Sequence, residues 1–227
     1  MTPIERGIFG IGGRAGSLGL WMALLSIVHA VGLAGVVLLD ADLILDLTVL
    51  NLLVSALIVF GFGHQQDAWR WALTAYITYA VEVIGVQTGF PFGAYAYGDR
   101  LGYLLYDTPP MIGVLWLMTL MGSLYWAEQW APDREGRQRG TLRAAIAATL
   151  MVAFDVVLEP VAVHTTFWTW AGDHIPLRNY LSWWVIAFAL AWVWRKADTF
   201  RTNRAAGLLL IVQTLFFIGL SLLPWKS

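Results

Sequence analysis

Residues 18–39 read LGLWMALLSIVHAVGLAGVVLL, 22 residues without a charged side chain. A helix rises about 1.5 Å per residue, so roughly 20 residues cross the hydrocarbon core of a bilayer, and this run is long enough to do so. Working outward from it, apolar runs bounded by charge, Gly or Pro recur at 43–63, 69–88, 110–130, 142–163, 179–195 and 205–223. Of the 227 residues, 59% are hydrophobic and 13% charged, whereas a soluble domain carries roughly 45–50% apolar and about 25% charged residues. The expected fold is therefore an all-α polytopic membrane bundle of about seven transmembrane helices, one integral membrane domain over residues 1–227. The first run is too long for a signal-peptide core and no small-residue cleavage pattern follows it, so it reads as a retained helix.

The distribution of basic residues orients the bundle. With seven helices, one side holds Arg6, Arg14, Arg70, Arg134, Arg137, Arg139, Arg143, Arg195, Lys196, Arg201 and Arg204, and the other keeps Arg100, Arg178 and Lys226. That split of 11 to 3 is what the positive-inside rule predicts, and it places the N-terminus in the cytoplasm; the expected location is a prokaryotic cytoplasmic membrane. The net charge of −1 provides no basic excess for phosphates, so nucleic acid is not an expected partner. The absence of cysteine excludes disulfides, thiolate nucleophiles and Cys-ligated metals.

On this topology the segments 89–109 and 164–178 face outward, and both are rich in aromatic residues, Gly and Pro. One contains Tyr95-Ala96-Tyr97-Gly98-Asp99 and the other Trp168-Thr169-Trp170-Ala171-Gly172-Asp173. Glu82 to Asp155, Tyr95 to Trp168 and Tyr97 to Trp170 are each 73 residues apart. An acid within a span followed thirteen residues later by an aromatic pair thus occurs twice, as a parallel two-helix repeat would produce. Chance alignment of interfacial aromatics is the competing explanation.

Ionisable groups inside spans are costly, and Glu82, Asp155 and Glu159 fall inside spans. Glu82 lies about 20 Å from the inner end of its helix. Asp155 and Glu159, four residues apart, share a helix face at a similar depth. Asp46 and Asn51 in the second helix stand near the same layer. Low dielectric favours the neutral form of a carboxyl, and a like charge nearby favours it further, so such a cluster can keep a proton donor at neutral pH. The alternative is a structural role in which these acids pair with Arg100 or Arg178, or bond Tyr, Trp and Ser between helices. His29, His64, His164 and His174 show no metal-ligand spacing, so no metal is expected. Gly10, Gly12, Gly13 and Arg14 lack the strand and the Lys-Ser/Thr pair of a phosphate loop. The only lysines, Lys196 and Lys226, lie outside the spans, which argues against a retinal Schiff base.

The segment from Glu82 through Gly89-Phe90-Pro91-Phe92-Gly93-Ala94-Tyr95-Ala96-Tyr97 resembles the signature of the CruF-type membrane carotenoid-biosynthesis proteins, the carotenoid hydratase or bisanhydrobacterioruberin hydratase family. A second similar stretch runs from Phe154-Asp155 through Leu158-Glu159-Pro160-Val161 to Phe167-Trp168-Thr169-Trp170, Pro176, Asn179 and Trp183. The chain reads Glu159-Pro160 where the family usually has Asp-Pro, which keeps a carboxyl, and Tyr106-Asp107-Thr108-Pro109-Pro110 where a Gly-Val-Pro element is usual. The resemblance implies a hydro-lyase that adds water across the terminal double bond of an acyclic carotenoid drawn from the bilayer, with no cofactor. Membrane lipid and other carotenoid-pathway enzymes would be its partners. Asp155, Glu82 and Glu159 would be catalytic, and Phe92, Tyr95, Tyr97, Trp168, Trp170, Asn51 and Asn179 would contact substrate. Two other readings remain open on the residues: a lycopene cyclase-like isomerase using the same proton donor, and a proton-coupled transporter in which the acids carry protons.

Overall fold

In a computed structural model, residues 15–39, 41–131, 136–172, 174–197 and 199–223 are described. Arg6, Gly10, Gly12, Gly13, Arg14, Arg134, Asp173 and Lys226, used in the sequence reading, lie outside them. The helices are α1 (Ala15–Leu38), α2 (Ala41–Asp46), α3 (Thr48–Gly61), α4 (Ala68–Thr88), α5 (Met111–Trp130), α6 (Gly136–His164), α7 (Leu177–Val193), α8 (Thr199–Thr202) and α9 (Arg204–Ser221). Among the described residues, five stretches are long and apolar enough to cross a membrane: Leu18–Leu38, Ala41–Gly61, Met111–Trp130, Gln138–His164 and Arg204–Ser221. Exposed Leu20, Ile27, Val31, Leu50, Leu57 and Leu215 line the outside of the bundle. Such apolar exteriors are stable against lipid tails, because every helical backbone bond is made within its own segment.

Two expected helices differ in detail. The segment 43–63 is not one helix: it turns at Leu47, whose N–H donates to Ile44 O at 3.2 Å, and Thr48 Oγ1 donates to Leu45 O at 2.5 Å. A hydroxyl that bonds the preceding turn competes with the helical ladder and bends it. Gly35 makes the adjoining α1–α2 corner tight, since a Cβ there would lie 2.9 Å from Ile44 Cδ1. The expected 142–163 helix begins earlier, at Gly136, and carries Pro160 within its last turns.

The core is centred on α5, which packs against α4, α6 and α9. Trp116, Leu117, Met118, Leu120, Met121 and Leu124 are buried on all sides. Small residues let the backbones approach: Gly113 abuts the Ala75 carbonyl, and Gly122 the Ala206 carbonyl. In lipid, where water supplies no force between helices, such close van der Waals contact is what holds them together. At the opposite end of α5 from Trp116, Glu128 pairs with Arg139 at 3.2 Å, with Arg201 at 3.5 Å and with Arg143, tying α5 to α6 and α8.

The bundle also contains a two-stranded sheet that the all-α reading lacked. Strand β1 (Tyr95–Tyr97) pairs antiparallel with β2 (Trp168–Trp170) in the register Tyr95↔Trp170, Ala96↔Thr169, Tyr97↔Trp168. The pair is extended by Gly98 N–H donating to Phe167 O at 2.9 Å and Ala171 N–H donating to Ala94 O at 3.0 Å. Gly89, at φ 70°, ends α4 in the left-handed conformation that glycine adopts at little cost, and turns the chain toward this sheet.

Candidate functional site

The strand pair lies over three buried carboxyls. Glu82 on α4 accepts a hydrogen bond at Oε2 from the Tyr95 hydroxyl at 2.5 Å and from the Tyr97 hydroxyl at 2.7 Å, and at Oε1 from Trp116 Nε1 at 2.8 Å. Glu159 on α6 accepts at Oε2 from Trp168 Nε1 at 3.0 Å and Trp170 Nε1 at 2.9 Å. Each strand therefore contributes an alternating aromatic pair whose polar ends converge on one carboxyl. That follows from strand geometry, in which residues i and i+2 point to the same face.

Asp155, 0% exposed, stands one turn before Glu159. Asn179 on α7 joins the two, its Nδ2 donating to Asp155 Oδ2 at 2.9 Å and to Glu159 Oε1 at 3.2 Å. Asp155 Oδ1 is buried and has no hydrogen-bond partner among the described residues. Glu82 lies within electrostatic reach of both Asp155 and Glu159.

The cationic pairing considered for these acids is not formed by the two outer arginines. Arg100 bonds Asp42 at 2.5 Å and Asp46 at 3.0 Å, and Arg178 Nη2 donates to Gly89 O at 2.8 Å. Asp46, expected near the carboxyl layer, is thus an exposed partner of Arg100. The neutral donors surrounding Glu82 and Glu159 leave the negative charge of the cluster without a cation from Arg100 or Arg178. Burial raises the phenol pKa of Tyr95 and Tyr97, and the neighbouring Glu82 carboxylate raises it further. Both phenols therefore remain O–H donors at neutral pH.

Aromatic packing makes the site rigid. Tyr95 and Trp170 have ring centroids 5.1 Å apart, and Tyr97 and Trp168 5.9 Å. Trp116 stacks on Trp183 at 3.9 Å. Phe92 is buried between Tyr95 and Trp116. Gly85, less than one turn beyond Glu82, makes this possible: a Cβ there would fall 2.7 Å from Phe92 Cδ2 and 2.9 Å from the Tyr95 hydroxyl.

Of the residues singled out in the sequence, Glu82, Asp155, Glu159, Phe92, Tyr95, Tyr97, Trp168, Trp170 and Asn179 come together. Asn51 sits apart from them, its amide 3.5 Å from His29 Nε2 in a cavity that none of the three carboxyls lines. Trp116 was missed, because a single Trp on an apolar helix carries no local sign of which carboxyl it will reach. The matching spacing also linked the Trp168 and Trp170 pair to Asp155, whereas the indoles bond Glu159.

Residues 41–225, which contain this whole constellation, match the family model described as carotenoid biosynthesis protein. The chain belongs to that family. Within the carotenoid biosynthesis family it is similar to a bisanhydrobacterioruberin hydratase from Haloarcula japonica, at 32% identity over 116 residues. That match covers 49% of this chain and 39% of the hydratase, so the chain aligns with well under half of that relative's length. No solved structure matches the chain. Membership places the chain among the carotenoid biosynthesis proteins, and the matched residues 41–225 carry the whole carboxyl cluster.

Proposed function

We propose that this carotenoid biosynthesis protein is a hydratase that adds water to the terminal double bond of an acyclic carotenoid end group by general acid catalysis. The observation that carries the reading is the carboxyl cluster beneath the strand pair, in which Asp155 Oδ1 is the oxygen left open for a proton. Asp155 in its acid form transfers that proton to the terminal alkene, whose π electrons form the new C–H bond and leave a tertiary carbocation. A water molecule adds to the cation through its oxygen lone pair, and its surplus proton passes to Glu82 or Glu159. Return of that proton to Asp155 completes the cycle. The sum is one water added with no change of redox state, so the balance calls for no redox cofactor. Asn179 is a positioning residue that holds Asp155 and Glu159 together. The rings of Tyr95, Tyr97, Trp168 and Trp170 cover the site, and an aromatic face stabilises a desolvated cation by about 2 kcal/mol.

The reading includes seven spans in one membrane domain. Segment α2–α3 counts as one, and α4 and α7 cross although polar groups such as Thr74, Thr78, Glu82 and Asn179 lower their hydropathy. The N-terminus is then cytoplasmic, as the basic residues argue. It also includes a duplicated unit, α4–β1–α5 and α6–β2–α7. The strand register supports this: Ala96 and Thr169 at its centre are 73 residues apart. The flanking bonds Gly98 to Phe167 and Ala171 to Ala94 exchange under the same shift. A two-fold axis along the membrane normal relates parallel repeats and brings equivalent strands together antiparallel.

The test is product analysis in cells that make an acyclic carotenoid. The hydratase reading expects a gain of one water in mass. An isomer of equal mass would make the protein a cyclase, and unchanged carotenoid would refute both reactions.

A further inference from the structure

A cavity of about 400 Å³ lies between α1, α2, α3 and α9. This is within the range of small-molecule pockets. Its rim includes Ile27, Val31, Leu47 and Leu50, all exposed on the outside of the bundle, so it opens toward the acyl layer. Its wall includes Phe167, whose chain neighbour Trp168 bonds Glu159. The cavity therefore adjoins the carboxyl site through consecutive residues of one loop.

An apolar groove for a hydrocarbon alone needs no polar lining, yet this one contains His29, Asn51 and Gln213. His29 is committed through Nδ1 to Leu25 O at 2.8 Å and faces Asn51 with Nε2. Asn51 Oδ1 is buried and without a partner among the described residues. Gln213, 6% exposed, lines the same cavity. Buried polar groups are almost always satisfied, and leaving one open is costly, so this lining is built for a polar atom that arrives with the ligand. An acyl chain brings none. A hydroxyl brings a donor and an acceptor, which match the open Asn51 carbonyl and the Gln213 N–H groups.

We propose that this groove binds an acyclic isoprenoid bearing a tertiary hydroxyl, with its chain along the apolar walls and its oxygen against Asn51 and Gln213. The assignment rests on the proposed hydratase reading for the ligand class and for the tertiary position of the hydroxyl, while the polar lining itself is independent of it. It gives the oxygenated molecule a place beside the carboxyl site from which it returns laterally to the bilayer.

The experiment measures quenching of tryptophan fluorescence in the full-length protein in detergent micelles. One probe is an acyclic isoprenoid with saturated ends, and the other is the same molecule with a terminal tertiary hydroxyl. Neither can be hydrated. The alcohol is expected to bind about tenfold tighter than the hydrocarbon. Gln213→Met and Asn51→Leu should each remove most of that preference while leaving hydrocarbon affinity unchanged. Equal affinity for the two probes in the wild type, or a preference untouched by either substitution, overturns the proposal. If Gln213→Met does not fold, Asn51→Leu decides. Product analysis is scored separately, so selective alcohol binding without water addition would refute the hydratase and leave the groove standing. The converse result would refute the groove alone.

Discussion

Replacing Asp155 with Asn separates chemistry from architecture at this site. The substitution preserves shape, and the carbonyl oxygen of the new amide can still accept the 2.9 Å bond from Asn179 Nδ2. Its NH2 group would occupy the position of Oδ1, which already has no partner among the described residues. The packing and the Asn179 bridge are therefore retained, and the change in stability should stay within about 1 kcal/mol, the scale of one ordinary hydrogen bond. On the proposed mechanism, what is lost is the proton. General acid catalysis contributes about 10²–10⁴-fold, which at about 1.36 kcal/mol per decade is roughly 3–5 kcal/mol of barrier. Turnover should fall to about 1% or less while the protein is made at wild-type levels and melts at nearly the wild-type temperature. The assay is chromatographic separation and mass measurement of the hydrated product from detergent-solubilised protein supplied with an acyclic carotenoid. Retention of more than about a tenth of wild-type turnover would show that Asp155 is not the proton donor. Wild-type turnover lost together with folding would show that the aspartate is structural.

Three further outcomes are expected. Gly85→Ala places a methyl against Phe92 and the Tyr95 hydroxyl, so it should cost about 1–3 kcal/mol of stability and depress turnover, read as a lowered melting temperature and slower product formation. Tyr97→Phe should change the alkaline end of the stability profile. The folded-state phenol pKa is raised, so its stabilisation is fully present below the ordinary value of about 10 and is lost as pH rises above it, because only the unfolded chain then releases the proton. Melting curves from pH 8 to 11 should therefore decline less steeply in Tyr97→Phe than in the wild type, and an unchanged slope would contradict the buried-donor assignment. A reporter fused to the C-terminus should be active only outside the cytoplasm, and cytoplasmic activity would refute an odd number of spans.

Much of this architecture is written locally. A run such as residues 18–39 must be helical and can lie in lipid, because a helix satisfies its backbone within the segment and needs no distant partner. For the same reason the acids Glu82, Asp155 and Glu159 stood out, since a charge within such a run has an energetic cost wherever the helix docks. The aromatic repeat was also legible, because alternate residues in an extended segment share a face in any context. Docking decided the rest. Whether the Trp168 and Trp170 indoles reach Asp155 or Glu159 depends on how the last turn of α6 delivers the chain to β2. Trp116 joins Glu82 only because Gly113 lets α5 settle against α4. Arg100 draws Asp46 to the surface, and the bend at Leu47 places Asn51 beside His29 instead of the carboxyls. The Trp116, Asn51 and Asp46 contacts join residues 22 to 54 positions apart, set by the packing of whole helices, and no short window of sequence contains both partners; the two indoles lie only nine and eleven residues from Glu159, and there the turn after α6 decides which acid they reach.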